Sequence, residues 1–235
     1  MDCDADKLPW HDYRDHRNMS NFPAVKKFVL AFGRIALCAA VLASTPVAQA
    51  DVTTDYEEGM RSFNNGDLFG AMPPLRRAAD AGHPGAQTTL AYILDLGETN
   101  DEALRYYQQA ADQDYPDGIY GLARMYMAGD GVERDRERAH KLLLKAVNLG
   151  HARSTNALVD EYLNGHFAPA ESGTDIASLL KASADAGYLR AATALAVGYQ
   201  SGQHGLPTDP AQAAEWKQRA TALRAQQLGK DNKDK

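Results

Sequence analysis

Three groups of residues in this 235-residue chain have types and spacings that could support chemistry. The first is the glycine- and acid-rich stretch GDGVERD at residues 129–135, which could hold a phosphate or a calcium ion. A phosphate loop needs further glycines and a lysine that enters the next helix. A calcium loop needs acidic residues at alternating positions and then a distal glutamate. The stretch meets neither requirement, so we interpret it as a turn between two helices, with Asp135 as the cap of the second.

The second group consists of histidines. His83 and His151 follow a glycine in two similar segments, which favours a capping or packing role over metal binding. Two loop histidines and a nearby carboxylate could instead form a zinc site, although no close pair such as H-x-x-x-H supports it. Those candidate ligands are His166, His204, Asp175 and Glu171. We predict neither a metal nor a cofactor, and the loop histidines remain an open question.

The third group comprises candidate catalytic residues. Cys3 and Cys38 are the chain's two cysteines, and no G-x-S-x-G turn occurs. Asp160 and Glu161 are adjacent, so on a helix they point to different faces and do not form an acid–base pair by themselves. We therefore predict that the protein is not an enzyme.

A repeated pattern supplies the elements that carry these residues. Helix-ending positions recur at intervals of 32, 36 and 37 residues: Gly82, Asp114, Gly150 and Gly187. A leucine follows eight residues after each: Leu90, Leu122, Leu158 and Leu195. Further apolar residues follow at helical spacings, and a glycine ends each of these helices too. The sequence thus predicts an all-α protein, an α/α superhelical solenoid of about five helix-turn-helix repeats.

The pattern L-A-x-x-Y-x-x-G-x-G-V-x-x-D-x-x-x-A, followed by K-A-x-x-x-G-H, resembles the Sel1-like repeat, a relative of the tetratricopeptide repeat. Residues 122–151 match it nearly throughout, whereas the copies at 85–114 and 152–187 depart from it in the loop between the helices. The resemblance implies a superhelical scaffold for protein interaction, without naming a partner.

The first helix of each repeat carries a stripe of variable residues at spacing i, i+4, i+7, and therefore on one helix face. Stacked repeats place such stripes side by side, commonly as a concave binding surface. The predicted partner-binding residues are Thr88, Tyr92, Tyr120, Arg124, Met127, Asn156, Asp160 and Gln200. Alternatively these residues are simply solvated, or Tyr92 and Met127 belong to the core.

The N-terminal 50 residues differ from the rest. Residues 19–50 contain a basic region, a short apolar run and the triplet Ala48-Gln49-Ala50, which together are typical of a secretory signal peptide. Residues 1–18 fit no part of such a signal and suggest a start codon placed too early. We predict cleavage after Ala50, a repeat domain over 51–225 and a disordered polar tail over 226–235. A periplasmic or secreted location follows.

Charge and composition restrict the partners. Residues 51–235 hold 19 Lys and Arg against 26 Asp and Glu, a net charge of 19 − 26 = −7, which disfavours nucleic acid. The leading hypothesis is a non-enzymatic periplasmic scaffold or adaptor that binds another exported protein through its concave face. The alternative is a cell-wall-associated enzyme or a protein that binds β-lactams or peptidoglycan. The resemblance raises this alternative, but the relatives so described are cysteine-rich, and residues 51–235 contain no cysteine.

Overall fold

The computed structural model describes residues 52–168 and 173–231, and these fold into ten α-helices with no strand among them. The helices are α1 (Val52–Asn64), α2 (Leu68–Asp80), α3 (Pro84–Leu96), α4 (Asn100–Asp112), α5 (Pro116–Ala128), α6 (Arg136–Asn148), α7 (Ala152–Leu163), α8 (Ile176–Asp185), α9 (Leu189–Ser201) and α10 (Pro210–Asp231). The helices form five pairs, each with a first and a second helix. The predicted all-α solenoid is confirmed. The predicted signal peptide lies outside the described residues.

The chain divides into two compact units at Gly118 and Ile119. In the first unit, α1 packs on α2, α2 on α3 and α3 on α4. In the second, α6 packs on α7, α7 on α8, α8 on α9 and α9 on α10. Because consecutive helices pack side by side, each unit has the packing of an α/α solenoid. Within the described part of the chain, no helix combines the length and apolar character that crossing a bilayer requires.

The repeated apolar residues form the core of each unit. The four leucines predicted to be equivalent, Leu90, Leu122, Leu158 and Leu195, are all buried. The recurring alanines of the second helices that face the core are buried as well, and they let helices approach closely: Ala71, Ala78, Ala103, Ala110, Ala139 and Ala146. At Gly118, for example, an added Cβ would lie 2.4 Å from the Cβ of Ala110.

Caps and turns fix the helix ends, and the cap predicted at Asp135 has counterparts in two other repeats. The side chains of Asp67, Asp135 and Asp209 accept hydrogen bonds from amides at the starts of α2, α6 and α10. Asp114 adopts the left-handed conformation, with φ of 55°, in the position that glycine occupies in the other repeats. Gly97 departs from the prediction. Its φ is −86°, and the left-handed residue is Glu98, one position later.

The last helix extends into the stretch predicted as a polar tail. The last helix continues to Asp231, so residues 226–231 are helical, where a disordered tail was expected. The residues of α10 after Leu223 whose side chains are described are all exposed. Alanine, glutamine and leucine in this stretch favour a helix intrinsically, which explains how the helix extends without an apolar stripe.

Candidate partner-binding face

The two predicted binding residues of the first unit lie on α3, and both have packing roles. Thr88 is only 7% exposed, and its buried Oγ1 has no hydrogen-bond partner among the described residues. Tyr92 is half-buried and meets the ring of Phe63 edge-on, with ring centroids 6.1 Å apart. Thr88 therefore belongs to the interior of its unit and not to an open surface.

In the second unit, Tyr120 on α5 lies at the centre of an aromatic and cationic group. Its ring centroid is 5.3 Å from that of His151, and the Cζ atom of Arg153 lies 5.4 Å from it. Burial raises the pKa of the Tyr120 hydroxyl; the positive charge of Arg124 opposes the shift and the carboxylate of Asp160 adds to it. The hydroxyl is therefore neutral at physiological pH.

Asp160 on α7 joins two repeats. Its Oδ2 accepts a hydrogen bond from the hydroxyl of Tyr188 at 2.6 Å, and its Oδ1 pairs with Nη1 of Arg190. Nη2 of Arg190 donates to Oδ1 of Asn164 at 3.0 Å. The side chains of Asp160 and Arg190 remain 33% and 47% exposed, so a partner could reach them.

The remaining predicted residues differ in exposure. Oδ1 of Asn156 accepts a hydrogen bond from the hydroxyl of Ser183 at 2.6 Å, which links α7 to α8. Met127 is half-buried and Gln200 is exposed. We use the term arginine face for the side of α5, α7 and α9 that carries Tyr120, Arg124, Arg153, Asp160 and Arg190.

Arg153 and Arg190 were not among the predicted partner-binding residues. Arg153 lies two residues after His151, and Arg190 lies two residues after Tyr188. His151 and Tyr188 each directly follow a helix-ending glycine. In both repeats this arginine contacts the first helix of the preceding repeat, at Tyr120 or Asp160. The recurrence of arginine at this position was the available signal.

The histidines that follow a helix-ending glycine cap the next helix, as predicted. Nδ1 of His83 and Nδ1 of His151 accept hydrogen bonds from the amides of Ala86 and Ser154, which confirms their capping role. Burial lowers the pKa of His151 to about 4, so this cap is neutral at physiological pH.

The two loop histidines have separate neighbours. Nδ1 of His204 lies 2.7 Å from the hydroxyl of Tyr162, and Nδ1 of His166 lies 3.5 Å from Oε1 of Glu161. No group of three or more His, Cys, Asp and Glu side chains in residues 52–168 and 173–231 is arranged to hold a metal. Glu171 lies outside those residues.

Binding of cell-wall sugars would require accessible aromatic rings. Trp216 is 5% exposed, and every tyrosine of the described ranges is buried or half-buried. The tyrosines and Trp216 thus contribute to packing, whereas Phe69 is 65% exposed.

Comparison with known proteins identifies the repeat. The model of the Sel1 repeat matches residues 85–115, 116–151 and 189–223. Each matched segment contains a first helix and most or all of the second helix that follows, in agreement with the observed pairs. The match thus lies in both units.

Two solved structures have a similar fold. One is c5321, a protective antigen of uropathogenic Escherichia coli that displays an SLR fold, with 25% identity and a TM-score of 0.65 over 74% of this chain and 38% of that one. The other is a Sel1 repeat protein from Oxalobacter formigenes, with 23% identity and a TM-score of 0.58 over 73% of this chain and 71% of that one.

One curated relative, an uncharacterized protein of Neisseria meningitidis, is 32% identical over 149 residues, or 63% of this chain. The present chain spans only 30% of that relative's length. The likeness therefore concerns a part of the longer protein and not the whole of it.

Proposed function

Since this chain contains three Sel1 repeats, we propose that it is an exported adaptor that binds another periplasmic or secreted protein through its arginine face. Sel1-repeat solenoids are generally non-catalytic scaffolds for protein interaction. The chain would act by presenting side chains in a fixed arrangement, without chemistry of its own.

The observation that carries this proposal is the fixed position of side chains that remain accessible. Asp160 is held by Tyr188 and Arg190, which belong to the next repeat, and Tyr120 is held by packing against His151. A face that is ordered before binding loses little conformational entropy when a partner arrives. Tyrosine and arginine are also the residues that most often dominate binding energy at protein interfaces.

Export is supported by the basic region, apolar run and A-x-A triplet before Asp51. The test is the N-terminal sequence of the protein recovered from cells, together with its fractionation. We expect a chain that begins at Asp51 and is found outside the cytoplasm. A cytoplasmic chain that retains residues 19–50 would contradict this part of the proposal.

The binding role is tested by crosslinking the tagged protein in its native compartment and identifying what attaches. Arg124→Ala and Arg153→Ala should reduce capture of the main partner while the melting temperature stays close to that of the native chain. Arg219→Ala is the matched control, because Arg219 is also an arginine of the second unit but pairs with Asp185, away from the arginine face. Equal capture by all variants would overturn the proposal. Turnover of a chromogenic β-lactam would instead favour the enzymatic alternative.

A further inference from the structure

We propose that the start of α2 carries a second docking surface, which binds a cationic segment of a partner protein with apolar residues between its charges. The surface consists of three residues at the helical spacing i, i+3, i+4, and therefore on one face of α2: Phe69, Met72 and Pro73. We call it the Phe69 face. It lies in the first unit and goes beyond the function proposed for the arginine face.

Phe69 is the most exposed large apolar residue in the described part of the chain, at 65%. Pro73 is exposed as well, and Met72 is half-buried. A single exposed apolar side chain is common on a protein surface, but neighbouring ones at helical spacing form a continuous patch. Contact with a partner would remove this apolar surface from water and so favour binding.

The other repeats show that the fold does not require this patch. Phe69 lies two residues before Ala71, whose repeat position is occupied elsewhere by Ala103, Ala139, Ile176 and Ala213. The position of Phe69 holds polar or small residues in those repeats: Asp101, Glu137, Thr174 and Ala211. The position of Pro73 holds hydrophilic ones: Arg105, Lys141, Ser178 and Glu215. Packing within the repeats therefore does not explain the exposed aromatic ring of α2.

The first turn of α2 places acceptors close to Phe69 in the chain. Oδ1 of Asp67 accepts a hydrogen bond from the amide of Gly70 at 2.8 Å, and this cap leaves Asp67 exposed. An added Cβ at Gly70 would lie 2.1 Å from Oδ2 of Asp67, so the turn needs glycine there. Pro73 has no N–H, so the carbonyl oxygen of Phe69 does not receive its usual helical hydrogen bond. A carboxylate and a backbone carbonyl thus accompany the ring, and both suit a cationic donor.

Charge identifies the occupant, because it differs greatly between the two units. Residues 52–118 hold 4 Lys and Arg against 12 Asp and Glu, a net charge of 4 − 12 = −8. Residues 119–235 hold 15 Lys and Arg against 13 Asp and Glu, a net charge of 15 − 13 = +2. Aspartate and glutamate are ordinarily ionised at neutral pH. The first unit therefore attracts a cationic segment and repels an anionic one.

Ion pairs within the first unit do not remove this excess. Its four cations are Arg61, Arg76, Arg77 and Arg105. Three of them pair with carboxylates of the same unit: Arg76 and Arg105 with Glu102, and Arg77 with Asp55. Even if every arginine neutralises one carboxylate, 12 − 4 = 8 carboxylates remain. Arg76 lies about one helical turn beyond Met72 and Pro73, and its pairing with Glu102 reduces its repulsion of a cationic segment.

The ring of Phe69 adds a specific preference to this general attraction. The face of an aromatic ring is electron-rich and attracts the side chain of arginine or lysine. Apolar residues of the same segment would contact Met72 and Pro73. The Phe69 face therefore suits a segment in which cationic and apolar residues alternate, more than it suits a free cation.

The experiment measures binding of the full mature chain, residues 51–235, to fluorescent peptides of equal length by anisotropy. One peptide alternates Arg and Val, the second Ser and Val, and the third Arg and Ser. We expect the Arg–Val peptide to bind about tenfold or more tightly than the Ser–Val peptide, with affinity that falls as salt rises. The Arg–Ser peptide should bind more weakly than the Arg–Val peptide, because it buries less apolar surface.

The variants test the location of binding. Phe69→Ala should weaken binding of the Arg–Val peptide about fivefold or more, while the melting temperature stays close to that of the native chain. Asp67→Asn keeps a side chain suited to the cap and removes one charge, so it should weaken binding about twofold. Leu228→Ala is the matched control, because Leu228 is 59% exposed but belongs to the second unit, and it should have no effect.

Equal affinity for the Arg–Val and Ser–Val peptides, or an equal effect of Phe69→Ala and Leu228→Ala, would overturn the proposal. Sedimentation velocity of the native chain and of Phe69→Ala tests a different occupant, a second copy of this chain. A dimer that Phe69→Ala alone abolishes would show that the face joins two copies, and the cationic segment would then be wrong. A monomer in both cases, together with the expected peptide affinities, supports the proposal.

Discussion

The hydroxyl of Tyr188 donates a hydrogen bond to Oδ2 of Asp160 across 2.6 Å and so connects the start of α9 to α7. Burial, and then the adjacent carboxylate of Asp160, raise the pKa of this hydroxyl. The raised pKa means that the stabilisation is fully present below the ordinary tyrosine pKa of about 10 and is lost as pH rises through the folded-state value. Tyr188→Phe should lower the free energy of unfolding by about 1–2 kcal/mol near neutral pH, measured by urea denaturation. An unchanged midpoint would show that the bond contributes nothing.

His151 should make stability depend on pH in a defined range. Its pKa is lowered from 6.5 to about 4 by burial, so the unfolded chain binds a proton more readily than the folded one. The contribution of His151 is complete above pH 6.5 and is lost as pH falls towards 4. His151→Asn keeps an acceptor suited to the cap but does not titrate.

The measurement is the free energy of unfolding at several pH values between 4 and 7. The asparagine variant should retain more of its stability at the acid end of this range than the native chain does. His83 and His204 also have lowered pKa values, so the slope should become smaller but should not vanish. Identical slopes would exclude His151 as a source of the acid sensitivity.

The close approach of α4 and α5 depends on Gly118. A Cβ there would lie 2.4 Å from that of Ala110, so Gly118→Ala should cost about 1–3 kcal/mol through forced displacement of the helices. Gly229→Ala in α10 is the control, because an added Cβ has no atom within 4 Å. That change should be neutral or stabilise by about 0.5–1 kcal/mol. The melting temperature should therefore fall for Gly118→Ala, and it should rise or stay unchanged for Gly229→Ala.

Replacing Thr88, whose Oγ1 is buried, should stabilise the protein, whereas Gly118→Ala should destabilise it. Since this atom has no hydrogen-bond partner among the described residues, Thr88→Val replaces an unsatisfied hydroxyl by a methyl group. We expect a gain in the free energy of unfolding of about 1 kcal/mol. Thr89→Val is the control, because its hydroxyl donates to the carbonyl of Gly85 at 2.9 Å and would be lost. If Thr88→Val destabilises the chain or weakens partner capture, Thr88 has a polar role that its burial conceals.

Asp55 is 5% exposed, and its Oδ1 accepts a hydrogen bond from Nε of Arg77 at 2.9 Å. Arg77→Met leaves a nearly buried carboxylate without this guanidinium and should lower the free energy of unfolding by about 1–3 kcal/mol. The double variant Asp55→Asn with Arg77→Met should recover part of the loss. A double-mutant cycle measured by chemical denaturation gives the coupling, and a coupling of zero would show that the pair is not linked in solution.

The positions of the repeats could be predicted from the sequence because each helix pair buries the residue at the same repeat position. Leu90, Leu122, Leu158 and Leu195 are buried because each fills the same space between two helices. The aspartate caps were predictable for the same reason. The helical state of residues 226–231 was not, because a polar helix without an apolar stripe has no periodicity to detect.

The candidate binding face was less predictable than the core. Spacing predicted the helix face that carries Asp160, but its partners Tyr188 and Arg190 lie in the next repeat and make contact only after stacking. Thr88 has the same repeat position as Tyr120 and Asn156, yet it is buried while they are half-buried. The position of a residue in the repeat therefore does not determine how exposed its side chain is, since the residues packed around it differ from copy to copy.

The bonds between successive helix pairs have a consequence for how the protein unfolds. Tyr106 to Asp80, Ser183 to Asn156 and Arg219 to Asp185 join residues 26, 27 and 34 positions apart, which is about one repeat. Because each helix pair is stabilised by contacts with its nearest neighbours, a helix pair at one end can unfold while a pair at the other end stays folded. Hydrogen exchange should accordingly show graded protection that is weakest at the ends of the array, and removal of α10 should loosen α9 before it affects α6 and α7.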